Sequence, residues 1–195
     1  MFIMAKSKSP KDKVAHRTSI KAVKRSEKRA DTHEQGTTVP GQEYQPTANE
    51  LIIYRRNLPH WRLRGAAYFV TWRKHKNQDD LQPGERDVVV DALRHFDGKR
   101  YELTGYVVMN DHVHLIVWPE DGYVLEDLCH SWKSFTAHEF QHKFGRIGSV
   151  WQDESFDRII RNEGEYYGKL MYIRNNPRKR WPDIKHYKWV WVKGM

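Results

Sequence analysis

The stretch YELTGYVVMNDHVHLIVW, Tyr101 to Trp118, decides the reading of the fold. Both halves are rich in β-branched and aromatic residues, so Tyr101 to Met109 and His112 to Trp118 read as two strands, and the Asn110-Asp111 pair between them tolerates turn geometry. Strand side chains alternate between faces. Val113, Leu115 and Val117 therefore share one side, and His112 and His114 share the other, about 7 Å apart along the chain. One face is apolar and seeks a core; the opposite face offers two imidazoles.

Upstream, Gly65 to Arg73 (GAAYFVTWR) reads as a first strand and Lys76 to Gly84 as a turn-like stretch. Glu85 to Phe96 places Val89, Ala92, Leu93 and Phe96 at spacings of three and four, the apolar stripe of an amphipathic helix. Downstream, Leu125, Leu128, Trp132, Phe135, Glu139 and Phe140 fall mostly on one side of a helix predicted from Tyr123 to Phe144, ending before Gly145. Val150 to Ile160 reads as a strand or hairpin. Glu163 to Asn175 reads as a last helix stopped by Pro177, because a proline disfavours helical geometry in the residue before it. The order strand, helix, strand, strand, helix, strand, helix predicts an α+β, ferredoxin-like (RRM-like) sandwich: an antiparallel sheet with an added C-terminal helix. The alternating KWVWV, Lys188 to Val192, suits one more edge strand.

Composition sets the frame around these elements. With 195 residues, 38% hydrophobic and 30% charged, the chain suits one core. Its net charge of +9 is unevenly placed: residues 1 to 30 carry ten basic and two acidic side chains, and the remainder is nearly balanced. Met1 to Thr47 has only Phe2 and Tyr44 as aromatics and reads as a disordered basic arm, too polar to offset the entropy of ordering. Such an arm raises nonspecific affinity for polyanions or is simply a solvated extension. Residues 48 to 182 form the expected domain and 183 to 195 a tail. No run approaches the roughly 20 apolar residues of a membrane span, and the N-terminus lacks the apolar stretch of a secretory signal. The single cysteine, Cys129, rules out an internal disulfide and a cysteine-based zinc cluster, and suits a reducing compartment.

Two features carry chemistry. Neutral imidazole is a common ligand for divalent cations, and His112 and His114 can share one ion if a third ligand arrives from elsewhere. The bland reading is a chance His-x-His among eleven histidines. On the last helix, Tyr172 and Asn176 (YIRNN) are four apart and share a face if the helix persists that far. A tyrosine hydroxyl beside a cation can attack a phosphate, and an amide oxygen can complete the coordination. Here the bland reading is a packed tyrosine and a helix-terminating Asn-Pro. Tyr166 and Tyr167 are rival nucleophiles.

The succession GAAYFVTWR, LTGYVVMNDHVHLIVWP, SWKSFTAHEF and GSVWQDESFDRIIRNEGEYYGKLMYIRNNPRKRW resembles the REP-associated tyrosine transposases, the single-copy bacterial branch of the IS200-like HUH single-strand transposases. The resemblance covers about residues 51 to 182. It rests on His-hydrophobic-His after an Asn-Asp turn, Trp-Gln ahead of Phe-Asp-Arg, and Tyr-Ile-x-x-Asn-Pro closing the last helix. It implies that His112 and His114 bind metal, that Tyr172 is the nucleophile and that Asn176 is a third ligand. Trp151, Gln152, Asp157 and Arg158 fall at family-typical positions. Imidazoles alone suit zinc, whereas the resemblance implies Mg2+ or Mn2+. The N-terminal arm and the basic, tryptophan-rich segment after Pro177 depart from the shared domain.

The implied activity is cleavage and rejoining of single-stranded DNA beside palindromic, REP-like hairpins, through a 5′-phosphotyrosine intermediate, in the cytoplasm near the bacterial nucleoid. The expected DNA contacts are Trp132, Lys133, Trp151, Gln152, Arg158, Arg161, Lys169, Arg174 and Arg178, with Lys179 and Arg180 extending the basic path. Trp132, Trp151 and Trp181 are expected to stack on unpaired bases. Monomer and dimer both remain open. Two other classes compete: a non-catalytic hairpin-binding module derived from a transposase, and a zinc hydrolase using the histidine pair with Asp111 or Glu165. The hydrolase lacks an HExxH-type helix.

Overall fold

The computed structural model describes residues 65–195 throughout, together with the backbone of the strands β1 (Ile52–Arg55) and β2 (Pro59–Arg62). The expected disordered arm lies outside the described residues. β1 and β2 pair antiparallel, with Ile52 opposite Arg62, in a hairpin that the sequence pattern did not announce.

The main sheet is built by β3 (Ala67–Arg73), β4 (Tyr101–Val108), β5 (His112–Pro119), β6 (Phe156–Ile160) and β7 (Val190–Val192), in the spatial order β6-β3-β5-β4-β7. Every neighbouring pair is antiparallel. Helix α1 (Pro83–His95) joins β3 to β4, and α2 (Leu125–Phe144) joins β5 to β6. Within β3-α1-β4-β5-α2-β6 the strands lie in the order fourth, first, third, second, which is the expected ferredoxin-like sandwich. β7 adds the anticipated edge strand beside β4.

One face of the sheet forms the core with α1 and α2. Tyr68, Val70 and Trp72 of β3 and Val113, Leu115 and Val117 of β5 pack there with Val89, Leu93, Leu125, Leu128 and Phe140. The predicted apolar stripe of β5 is therefore where its alternation puts it. α1 starts one residue after Gln82, with a proline at a position whose N–H would have no helical partner. Glu85 accepts the Gln82 N–H at 2.7 Å. The same buried carboxylate is clasped by Arg146, which follows α2: Nε and Nη2 lie 2.5 and 2.6 Å from its two oxygens.

α3 (Glu163–Arg180) covers the other face. A Cβ on Gly105 of β4 would stand 3.1 Å from Leu170 Cδ2, so the missing side chain lets this helix approach the sheet. Here the structure corrects the sequence reading twice. Val150 and Trp151 do not extend β6: Trp151 forms an isolated bridge with Lys74, and both side chains are in the core. α3 does not stop before Pro177 but runs through it to Arg180. Proline removes one helical N–H and crowds the preceding turn, yet Ile173, Asn176 and Pro177 are buried, and that packing holds the backbone helical. The Trp181 N–H bonds the Pro177 carbonyl at 2.8 Å in the final turn. No helix among the described residues is long and apolar enough to cross a membrane.

Candidate active site

The site forms where β3, β5 and α3 meet, and strand register builds its first part. Thr71 is paired with His114 and Arg73 with His112. Directly opposed residues share a face, so Thr71 Oγ1 comes to 2.6 Å from His114 Nδ1. His112 Nδ1 lies 2.6 Å from Asp111 Oδ1, and Arg73 Nη1 lies 3.6 Å from the other carboxylate oxygen. A carboxylate only accepts, so His112 donates from Nδ1 to Asp111 and turns Nε2 away from that bond. In His114, an Nδ1–H donated to Thr71 leaves the Nε2 lone pair for a ligand. The two rings are 4.6 Å apart.

Electrostatics keep His114 in its ligand form. Burial, then the charges of His112, Arg73, Lys169 and Lys179, push His114 down to about 3, so it stays neutral at any ordinary pH. Burial alone would raise Asp111. Its hydrogen bond with His112 and the charges of His112, Arg73 and Arg180 outweigh this and hold it below the usual carboxylate range.

α3 supplies the second part. The Tyr172 ring meets His114 edge to face, with centroids 5.2 Å apart, and Phe69 stacks on His114 at 5.3 Å while touching Tyr172 at 5.9 Å. Among the three tyrosines of this helix, Tyr172 is the one that meets the histidines. Tyr166 is buried against Trp118, its hydroxyl pushed up by burial, and Tyr167 packs on Tyr166. Asn176 lies one turn beyond Tyr172 and is 5% exposed. Because α3 continues through Pro177, the two stand four apart on regular helix.

The donor set suits a divalent cation with open positions. Both Nδ1 atoms are tethered by neighbours, which is how metal-binding imidazoles are usually oriented. Among the described residues no group of three or more His, Cys, Asp and Glu side chains gathers as a ligand set. A further protein donor would therefore be an amide or hydroxyl, as Asn176 offers.

The expected DNA contacts divide. Trp132 and Trp151 are corrected: they are 3% and 5% exposed, and both pack on Trp72. Trp132 Nε1 donates to Tyr101 and Trp151 Nε1 to Thr136, so these rings fill the core and are not presented to bases. Trp181 is 37% exposed and stacks on Tyr187. Lys133 donates to the Asp153 carbonyl, and Gln152 donates to the Lys74 carbonyl. Arg158 and Arg161 both pair with Glu165, which engages one of the two acids considered for a hydrolase. Lys169 lies over Phe69, Arg174 lies near the Met195 sulfur, and Arg178 is exposed. Phe69 and Thr71 escaped the sequence reading. Their roles depend on which strand lies beside β5, and no local pattern encodes that.

Residues 70–175 match the family model described as Transposase IS200 like. The match spans more than half of the chain, which therefore belongs to the IS200-like transposases. Within that class it is similar to the REP-associated tyrosine transposase of Escherichia coli strain K12, with 25% identity over 143 residues, 73% of this chain and 76% of that protein. A solved structure of a REP-associated tyrosine transposase bound to a REP hairpin covers 70% of this chain and 80% of its own at 22% identity, with a TM-score of 0.55. That likeness is one of fold.

Proposed function

We propose that this transposase cleaves and rejoins single-stranded DNA beside palindromic hairpins, with Tyr172 as nucleophile. The observation that carries the reading is the contact between the Tyr172 ring and His114, whose Nδ1 is occupied by Thr71. A hairpin as partner is supported by the solved relative, which holds a REP hairpin.

The Tyr172 oxygen attacks a phosphodiester phosphorus. An O–P bond forms, the bond from phosphorus to the 3′ oxygen breaks, the phenolic proton is lost to solvent and the departing oxygen takes one up. The products are a 5′-phosphotyrosine and a free 3′-hydroxyl. One ester replaces another, so a second 3′-hydroxyl can reverse the step without ATP. A phenol with an ordinary pKa near 10 is mostly protonated at neutral pH, and attack needs electrostatic help. A divalent cation, Mg2+ or Mn2+, held by His112, His114 and Asn176 would supply Lewis-acid stabilisation of charge on the phosphate oxygens. Asp111 and Thr71 fix the two imidazoles, and Phe69 braces His114 and Tyr172 together.

The test is adduct formation. Purified protein with Mg2+ or Mn2+ and single-stranded hairpins from palindromes near its gene should yield a DNA-linked species on a denaturing gel, lost in Tyr172→Phe. A normal adduct from that variant, or hairpin binding without cleavage across the set, would defeat the reading.

A further inference from the structure

The continuation of α3 past Pro177 brings Lys179, expected only as part of a basic path for the DNA backbone, onto the Tyr172 ring. Lys169, Tyr172, Asn176 and Lys179 follow at steps of three, four and three, so they form one stripe along regular helix. Lys179 Nζ lies 3.9 Å from the centroid of the Tyr172 ring. Lys169 Nζ lies 4.4 Å from the Phe69 ring and 5.8 Å from that of Tyr172. Two ammonium groups thus flank the proposed nucleophile.

What they lack is informative. Arg73 is paired with Asp111, and Arg158 and Arg161 share Glu165. Among the described residues neither Lys169 nor Lys179 forms an ion pair with a carboxylate. Each rests instead on an aromatic face, a weak contact that a charged phosphate oxygen can replace.

We propose that Lys169 and Lys179 form a clamp for the phosphate that Tyr172 attacks, leaving their aromatic rests to contact its nonbridging oxygens. The aromatic rings hold the two ammonium groups beside the nucleophile before DNA arrives. On arrival, the lysines bind the phosphate from both ends of the stripe and offset charge as it grows in the transition state. The clamp rests on the assignment of Tyr172 as nucleophile.

Two measurements test it on the full chain, using a hairpin that gives an adduct with the parent protein. In single turnover at saturating DNA, Lys169→Ala and Lys179→Ala should each slow adduct formation by roughly 100- to 1,000-fold, the scale of losing a preorganised donor at a reacting group. Lys179→Arg should recover part of the rate, and Lys99→Ala, an exposed lysine before β4, should change nothing. Equal melting temperatures would confirm that the variants are folded. Second, in the non-cleaving Tyr172→Phe background, binding should favour the natural hairpin over one with a neutral methylphosphonate at the scissile position. The paired Lys169→Ala, Lys179→Ala variant should lose that preference. Unchanged adduct rates, or a retained preference, would overturn the clamp while leaving Tyr172 in place. An adduct that survives Tyr172→Phe would remove the nucleophile and the clamp together.

Discussion

Thr71 and His114 face each other across β3 and β5, and the 2.6 Å contact between Oγ1 and Nδ1 fixes which imidazole nitrogen is offered to the site. Thr71→Val keeps the shape and removes the bond. Loss of such an orienting partner typically costs about 10- to 100-fold in metal affinity or activity. Mn2+ titration and adduct rates should both show it, with a stability loss near 1 kcal/mol. Unaltered Mn2+ affinity would show that Thr71 does not orient the ligand.

His114 also sets an acid limit on stability. Its folded pKa of about 3 lies below the ordinary 6.5, so the unfolded chain binds the extra proton. Stability is therefore full above pH 6.5 and falls as pH drops from 6.5 toward 3. Melting curves in metal-free buffer should show a smaller loss over that window for His114→Gln than for the parent.

Glu126, in the first turn of α2, behaves in the opposite sense. Burial, followed by the nearby charges of Asp157 and Asp127, outweighs a backbone hydrogen bond and raises it from 4.5 to about 7. The folded state then holds the proton more tightly, and stability is lost as pH rises from about 4.5 through 7. Glu126→Gln should raise the melting temperature at pH 8 and leave it nearly unchanged at pH 4. A destabilised Gln variant at pH 8 would show that the ionised carboxylate makes a net favourable contact.

Arg146 and Glu85 join the end of α2 to the start of α1, their side chains 9% and 1% exposed. Arg146→Ala strands a buried carboxylate and should cost about 3–5 kcal/mol in urea unfolding. Adding Glu85→Gln should recover part of that loss. If the double variant is no better than Arg146→Ala, the bonds of Arg146 to the Asp79 and Asp80 carbonyls are the main contribution.

Much of this is legible in the sequence alone. The β4–β5 hairpin, α1 and α2 carry clear periodicity, and the alternation of Val113, Leu115 and Val117 against His112 and His114 places each set on its face. What failed was local inference where tertiary packing decides. Pro177 is a stop signal by its own chemistry, but Ile173 and Asn176 bury the turn around it and α3 continues. Tryptophans suit both bases and cores, and nothing in the spacing of Trp132 and Trp151 shows that both rest on Trp72. Thr71 and Phe69 gained their roles from the pairing of β3 with β5, a long-range register absent from either strand alone.

The central claim is that one phenolic oxygen takes the DNA. Protease digestion of the covalent adduct followed by tandem mass spectrometry reads the linkage directly. The account predicts a nucleotide joined through its 5′ phosphate to Tyr172; attachment at Tyr166, Tyr167 or any other residue would contradict it.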